Sequence, residues 1–307
     1  MEPILSARSL TKLYGLVIGV NDVTLDLPRG VRGLLGPNGA GKSTFLKLVT
    51  GQLRPTEGEV LVFGERPWSH PELFRRIGFC PEQDAFWDFL TAREFVAALA
   101  RMSGLDAATA ERKAEEALDR CGATSFMDRK IGGYSKGMRQ RAKVAQALVH
   151  DPELVILDEP LSGTDPVGRH ELIELVKKLG REGKSVLISS HVLHEVEAMT
   201  EDFLLIHSGR VLASGNVHEI RGLMNDYPHR ITIKAKDVRG LARAVVRDLP
   251  VAGVNVDEAA GSLLVLTREP KLFYEGLTRL AAEGGVREVV SQDDNLDAVF
   301  NYLVTRS

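Results

Sequence analysis

Residues 33–51 read GLLGPNGAGKSTFLKLVTG, and within them positions 36–43 fit the pattern G-x-x-x-x-G-K-[ST]. An apolar run that ends at Leu35 predicts a strand before the pattern, and apolar residues at helical spacing follow it. Glycines let successive backbone N–H groups turn into one concavity, and the start of a helix adds partial positive charge. This strand–loop–helix order therefore predicts a site for nucleotide phosphates.

The loop residues have distinct expected contacts. Lys42 is expected to reach the β- and γ-phosphates, and the Ser43 hydroxyl is expected to ligate Mg²⁺. The other positions that we assign to nucleotide binding are Gly36, Pro37, Asn38, Gly39, Ala40, Gly41 and Thr44. Kinases, GTPases, helicases and transport ATPases all use such a loop, so other motifs must decide the function.

Two carboxylates end a second apolar run, residues 154–160, which read LVILDEP. Four apolar residues in a row are typical of a strand buried on both faces of a parallel sheet, whose carboxyl end is where such sheets bind ligands. Neighbouring strand residues point in opposite directions, so the two acids are expected to do different work. We assign Asp158 to the Mg²⁺ shell and Glu159 to polarising the attacking water.

Two further polar residues follow predicted strands. His191 is the last residue of Ser189-Ser190-His191, which follows the apolar strand 185–188 downstream of the acidic strand, and there its side chain can meet the γ-phosphate and orient the water. Gln83 follows a short strand around residues 77–79 and is expected to sense Mg²⁺ or the water through its amide. His191 and Gln83 therefore join Lys42 and Glu159 as candidate catalytic residues.

In this order, the motifs of residues 4–220 resemble the ATPase subunit of ABC transporters, with YSKGMRQR at residues 134–141 similar to the family's signature motif. The resemblance implies an α/β fold: a P-loop NTPase core with a mainly parallel sheet, an antiparallel N-terminal sheet and a helical subdomain at about 84–141. It also implies that Tyr14 stacks on the adenine of ATP. Ser135 and Gly137 would face the γ-phosphate bound by a second copy, and Asp165 would lie in the loop through which the two sites sense each other.

The signature departs from the family's usual Leu-Ser-Gly-Gly-Gln, because Tyr134, Lys136 and Met138 replace three of the five residues. Lys136 either lies near the γ-phosphate or is simply solvated, and the sequence does not choose between these. The variant signature, the short GFCPEQ segment and a C-terminal extension resemble the ABC-2-type exporter branch. They are also similar to the ATPase halves of the lipid-exporting A subfamily.

One phosphate loop and one signature per chain imply a dimer, either with a second copy or with a similar ATPase. The resemblance also implies a membrane-spanning permease partner, which would hold the chain at the cytoplasmic face of the membrane. Phe86, Trp87 and Phe89 follow Gln83 closely. They either form part of a socket for a short helix of that partner or pack inside the helical subdomain.

The C-terminal part, residues 221–307, changes to alternating short strand and helix patterns. Strands are predicted around 231–235, 263–266 and 286–290, and helices around 238–249, 271–282 and 296–303. This order indicates a small α+β domain of the split-βαβ kind. Its role is open between dimer contact or regulation and plain stabilisation of the ATPase core.

Composition narrows the alternatives. The 307 residues are 44% hydrophobic with a net charge of −3. The chain therefore lacks the excess of basic residues that would indicate nucleic-acid binding. No run approaches the ~20 apolar residues that cross a bilayer, and we expect a cytoplasmic chain with two unpaired thiols, Cys80 and Cys121.

The alternative to a transporter motor is a soluble ABC ATPase acting on a macromolecule, but the chain lacks a second cassette. A GTPase would need Asn-Lys-x-Asp, which is absent.

Overall fold

A computed structural model describes residues 2–216, 219–220, 228–282 and 285–291. The chain divides into two compact units, Met1–Ser214 and Gly215–Ser307, and each is described by itself. In chain order, the elements up to Asn216 are β1 (Leu5–Tyr14), β2 (Val17–Leu27), β3 (Val31–Leu35), α1 (Lys42–Val49), β4 (Glu57–Val62), α2 (Pro71–Phe74), β5 (Ile77–Cys80), α3 (Ala92–Met102), α4 (Ala107–Arg120), α5 (Lys136–Leu148), β6 (Leu154–Asp158), α6 (Pro166–Arg181), β7 (Ser185–Ser190), α7 (Leu193–Glu197), β8 (Asp202–His207) and β9 (Arg210–Asn216).

The main sheet of the first unit has the strand order β5-β6-β7-β3-β8-β9. Its first five strands run parallel, and a two-residue turn returns the chain into β9. Leu35 pairs with Ser190, and Asp158 pairs with Ser189. Because these pairs lie level at the carboxyl edge, the glycine loop, the acidic pair and the histidine leave the sheet at one place.

A second sheet, β2-β1-β4, is antiparallel, with Leu5 paired to Leu27 on one side and to Val62 on the other. Helix α1 contacts strands of both sheets. Its Phe45 and Leu46 are fully buried in a core cluster that takes residues from both. This packing fixes the axis of the helix whose first turn carries Lys42.

Between β5 and β6 the chain forms α3, α4 and α5, which contact one another. Helix α3 begins with a capping box, in which the Thr91 hydroxyl accepts from the Glu94 N–H and the Glu94 carboxylate accepts from the Thr91 N–H. This segment is the helical subdomain that the resemblance implies. The predicted fold class of the first unit is therefore confirmed.

The second unit has the order β10 (His229–Ala235), α8 (Val238–Asp248), β11 (Gly253–Asp257), β12 (Ser262–Thr267), α9 (Pro270–Ala282) and β13 (Val286–Ser291). Its antiparallel sheet, β11-β12-β10-β13, encloses Ile233, Val265 and Phe273 in a core of its own. The small α+β domain is thus confirmed. The sequence analysis missed the half-exposed strand β11, and its predicted helix 296–303 lies outside the described residues.

Within the described ranges, no helix combines the length and the apolar content needed to cross a bilayer.

Candidate functional site

The glycine loop connects β3 to α1 through close backbone contacts. A Cβ atom on Gly36 would lie 2.2 Å from the Ile206 carbonyl oxygen, and one on Gly41 would lie 2.3 Å from the Gly19 carbonyl oxygen. Gly41 also has a φ of +105°, a conformation that side chains disfavour. Only glycine fits these two positions, and this explains the sequence pattern in steric terms.

The first turn of α1 presents its backbone N–H groups without a local competitor. Its N-cap residue is Gly41, no side chain caps the helix, and the first turn has no acidic residue. The partial positive charge of this end is therefore left for an external anion. Ser43 and Thr44 lie half-buried in the same turn.

Lys42 lies folded across the loop and is only 6% exposed. Its Nζ atom donates to the carbonyl oxygens of Gly36 at 2.7 Å and Pro37 at 3.3 Å. The same atom forms an ion pair with Glu159 Oε1 at 3.3 Å. Lys42, which the sequence assigned to the phosphates, and Glu159, which it assigned to the water, are therefore in contact in one buried region.

The two acids have different partners, because Asp158 ends β6 whereas Glu159 lies beyond the strand in a left-handed backbone conformation. Asp158 is the last residue of β6, and its Oδ1 atom accepts from the Ser189 hydroxyl. Glu159 has a φ of +50° and turns towards Lys42. The Glu159 N–H donates to Ser189 Oγ at 3.0 Å, so Ser189 holds both acids. Sequence reasoning gave Ser189 no role, although a serine at the end of a buried strand needs a polar partner.

His191 lies beside Glu159, with its Nδ1 atom 2.9 Å from Glu159 Oε2. Because an ionised carboxylate only accepts, the proton of this hydrogen bond is on Nδ1. The histidine ring is about half exposed, and its Nε2 atom remains to contact another group. Glu159 is therefore held by Lys42 through one oxygen and by His191 through the other.

Gln83 lies in the exposed loop after β5. With Ser43 and Asp158 it lines one groove of about 670 Å³, so the three predicted metal ligands share a single cavity. Glu82 lines this groove and also the neighbouring cavity of the glycine loop. Sequence reasoning missed Glu82.

A second cavity of about 400 Å³ runs along the glycine loop to Tyr14. The Tyr14 ring is 45% exposed, and the carbon skeletons of Val17 and Ile18 line the same cavity. These two exposed apolar residues beside a tyrosine offer a flat apolar surface. Val17 and Ile18 follow Tyr14 closely in the sequence, but the sequence analysis gave them no role in the nucleotide site.

Ser135 is the N-cap of α5, where its hydroxyl accepts from the Met138 N–H at 3.3 Å. Gly137 faces the next loop, because a Cβ atom there would lie 3.7 Å from Asp165 Oδ2. Asp165 caps α6, and the Gly168 N–H that it accepts lowers the pKa of its carboxyl group. Neither Ser135 nor Gly137 is among the residues that line the glycine-loop cavity of the same chain.

Two of the residues that differ from the family's usual signature, Tyr134 and Lys136, make identifiable contacts with neighbouring residues. The Tyr134 ring packs edge-on against Phe126, and its hydroxyl donates to the Phe126 carbonyl oxygen at 2.7 Å. The Lys136 side chain lies along Gly163, the residue two before Asp165, and forms no ion pair within the described part of the chain. Tyr134 thus anchors the turn, while the Lys136 ammonium stays available.

Both cysteines are free and buried. Burial raises the pKa of Cys80 and of Cys121 to about 12, so both remain neutral thiols. The expectation of two unpaired thiols is confirmed.

Comparison with known proteins matches this arrangement to a family. The family model described as ABC transporter matches residues 20–162. The uncharacterized ABC transporter ATP-binding protein YxlF of Bacillus subtilis is 36% identical over 234 residues, which cover 76% of this chain and 78% of YxlF. The chain belongs to the ATP-binding subunits of ABC transporters. As a member of this family, it binds ATP and hydrolyses it for transport.

Similarity to other ABC transporter subunits extends over the second unit as well. The Nod factor export ATP-binding protein I of Cupriavidus metallidurans is 33% identical, with 100% of this chain and 99% of that protein covered. The resemblance to the exporter branch is thereby confirmed. The dimeric structure of MJ0796, a bacterial ABC transporter cassette, superposes with a TM-score of 0.65 at 25% identity, covering 69% of this chain and 98% of that chain.

Proposed function

We propose that two copies of this chain, or one copy and a similar ATPase, enclose ATP between the glycine loop of one and the Ser135 helix end of the other. The observation that carries the proposal is the separation of two phosphate-binding elements within one chain. Ser135 and Gly137 lie outside the cavity of their own glycine loop. The dimeric MJ0796 cassette has the same fold, which supports a paired arrangement.

Hydrolysis needs a water held in line with the γ-phosphate and charge stabilisation on the phosphate oxygens. Lys42 and the N–H groups of the first turn of α1 supply positive charge. Glu159 accepts the proton from the attacking water, and His191 orients Glu159 through Nδ1 while its Nε2 faces the γ-phosphate. The Lys42–Glu159 ion pair, at 3.3 Å, keeps the carboxylate aimed at the loop until the triphosphate binds.

The donor set at the groove fits Mg²⁺, which prefers hard oxygen ligands and few protein groups. Ser43 supplies a hydroxyl, Asp158 a carboxylate and Gln83 an amide oxygen, and all three line one groove. When bound, Mg²⁺ neutralises charge on the β- and γ-phosphates. Ser189 keeps Asp158 in position by donating to its Oδ1 atom.

The adenine is proposed to stack on Tyr14, whose ring borders the cavity of the glycine loop. Asp165 is proposed to report the state of one site to the other, because it adjoins Gly137 and caps the helix that follows the acidic strand. Lys136 is proposed to add charge at the γ-phosphate of the opposite site. Its side chain lies along Gly163, in the loop that leads to Asp165, which supports this role; a solvated ammonium is the alternative.

The transport partner is proposed to be a separate membrane-spanning permease of an exporter, which would keep the chain at the cytoplasmic face of the membrane. Its docking surface would include Trp87 and Phe89, whose side chains are exposed. Phe86 packs edge-on against Phe95 at 5.0 Å between ring centroids, and the partly exposed Trp87 also packs against Phe95, at 5.7 Å. No nucleic-acid partner is proposed, since the net charge is −3.

Substitution of Glu159 by glutamine tests the paired site. Glu159→Gln keeps the side-chain volume and removes the proton acceptor, so we expect ATP binding with no turnover and an ATP-dependent dimer in size-exclusion chromatography. The matched control is Glu57→Gln on the exposed end of β4, which should behave like the unsubstituted protein. A Glu159→Gln protein that remains monomeric with ATP and Mg²⁺ contradicts the pairing of two copies, and one that hydrolyses at the normal rate contradicts the role of Glu159.

A further inference from the structure

Lys143 is a buried lysine on the third turn of α5, with 5% of its surface exposed. Its ammonium donates to the Glu82 carbonyl oxygen at 2.7 Å and to the Pro81 carbonyl oxygen at 3.3 Å. It also forms an ion pair with Asp84 Oδ1 at 3.0 Å. An ammonium group has three donors, so these contacts use its full capacity.

The acceptors of Lys143 lie on both sides of Gln83. The side chain of Gln83 itself is exposed and forms no hydrogen bond within the described ranges. The position of Gln83 is therefore determined by its neighbours, and Lys143 contacts those neighbours on both sides of Gln83, while Arg139 adds a longer ion pair to Asp84 at 3.9 Å. A charge-assisted hydrogen bond of this kind is roughly twice as strong as a neutral one.

Other side chains on the same face of α5 contact the segment 79–88. Gln146 donates to the Phe79 carbonyl oxygen at 2.6 Å, and Gln140 donates to Cys80 Sγ at 3.8 Å. Arg139 pairs with Asp88 at 3.0 Å. The spacing of these residues is that of one helical face, so the segment runs alongside the helix that begins after Ser135.

We propose that Lys143 is a positioning residue that fixes the Gln83 loop to α5, so that Gln83 and Ser135 move as one body. The inference rests on the proposed function, in which Gln83 serves Mg²⁺ and Ser135 serves the nucleotide of the opposite site. The charge of Lys143, more than its bulk, maintains this connection.

A purely structural lysine would affect stability alone, so the test needs a local readout. Lys143→Met keeps most of the side-chain volume and removes the charge, whereas Lys143→Arg keeps the charge. In the full chain, amide hydrogen exchange of residues 82–85 is measured by mass spectrometry, and the Mg²⁺ concentration that half-saturates ATP hydrolysis is measured alongside. The matched control is Lys177→Met, which removes a partly exposed lysine paired with Glu174 on α6.

We expect Lys143→Met to speed exchange at residues 82–85 and to raise the half-saturating Mg²⁺ concentration about tenfold, as loss of an outer-shell contact does. Lys143→Arg should recover part of both effects, and Lys177→Met should show neither. Should Lys143→Met fold poorly, Asp84→Asn removes the carboxylate that pairs with Lys143 at 3.0 Å and with Arg139 at 3.9 Å, and it is expected to change both quantities in the same direction. Unchanged exchange at residues 82–85 in a folded variant overturns the proposal.

Gln83→Ala separates failure of this inference from failure of the proposed function. If Gln83→Ala leaves the Mg²⁺ dependence unchanged, the metal role of Gln83 is wrong, while the exchange result still decides whether Lys143 holds the loop. If Gln83→Ala raises the half-saturating concentration and Lys143→Met does not, the positioning role is wrong and the metal role stands.

Discussion

Ser189 is the residue on which the geometry of the acidic pair depends. Its hydroxyl donates to Asp158 Oδ1 and accepts from the Glu159 N–H at 3.0 Å, and all three residues are buried. One hydroxyl thus orients the carboxylate assigned to Mg²⁺ and the backbone of the carboxylate assigned to the water. If the Ser189 hydroxyl is removed, the buried Glu159 N–H loses its acceptor and the buried Asp158 carboxylate loses its donor.

Ser189→Ala is therefore expected to lower the free energy of unfolding by about 1–3 kcal/mol, because it leaves two buried polar groups unpaired. It should also raise the half-saturating Mg²⁺ concentration about tenfold, because Asp158 loses the group that orients it. Denaturant unfolding and ATPase assays over a Mg²⁺ series measure the two effects. Ser262→Ala, on β12 of the second unit, is the control, and equal behaviour of the two variants contradicts the role of Ser189.

The sequence predicted which side chains bind the nucleotide and act in hydrolysis, but it did not predict which other residues hold those side chains in position. The G-x-x-x-x-G-K-[ST] pattern and the acids after a buried strand are local features, so Lys42, Asp158 and Glu159 were visible in the sequence. Ser189 and Lys143 act through contacts between residues about 31 and 61 positions apart in the chain. No periodicity or motif reports such pairs.

Strand β5 leads into the loop of Gln83, and contacts away from the site hold this strand in place. His150 follows α5, and its Nε2 atom lies 3.0 Å from the carbonyl oxygen of Ile77, the first residue of β5. Burial lowers the pKa of His150 below its usual value of 6.5. The imidazole in the folded chain is therefore neutral and donates from Nε2, which attaches the end of α5 to the strand that leads into Gln83.

This histidine predicts a pH dependence of stability. The unfolded chain takes up a proton near pH 6.5, whereas the folded chain does so only at a lower pH, so the contribution of His150 is complete above about pH 6.5 and decreases as the pH falls below it. His150→Gln keeps a donor without the titration, so its melting temperature should fall less between about pH 7 and pH 5. The control is His194→Gln at an exposed position. Parallel melting curves for all three proteins contradict this assignment.

At the scale of elements, pattern reasoning succeeded where burial was one-sided or complete. The apolar run that begins at residue 154 forms the buried strand β6, and the helices α3 and α4 lie within the helical subdomain that was expected at about 84–141. Strand β11 was missed because it is half-exposed, with three of its five residues facing solvent. An edge strand of this kind lacks the apolar run that marks a central one.

In the part of the chain that the structure describes, each unit has a hydrophobic core cluster built from its own residues. Among the described residues, the core around Phe45 and the core around Phe273 share no member. Each unit therefore has the means to hold its own fold. This arrangement predicts that damage to one core spares the activity located in the other.

Phe273→Ala tests this independence, since removing a buried phenylalanine side chain costs about 3–5 kcal/mol. We expect the second unit to become sensitive to limited proteolysis while ATP affinity changes by less than about twofold. The control is Phe74→Ala, which removes a phenylalanine that is largely exposed. Loss of ATP binding in parallel with proteolysis of the second unit contradicts the separation of the cores.

The central claim concerns two chains: the glycine loop of one and the Ser135 helix end of the other hold the same ATP. A protein carrying Asn38→Cys, Ser135→Cys and Glu159→Gln measures this directly by disulfide cross-linking, because Cys80 and Cys121 are buried. With ATP and Mg²⁺, we predict a covalent dimer on a non-reducing gel, which either single cysteine variant fails to form. A cross-link that forms equally without nucleotide, or a chain that stays monomeric with ATP, contradicts the account.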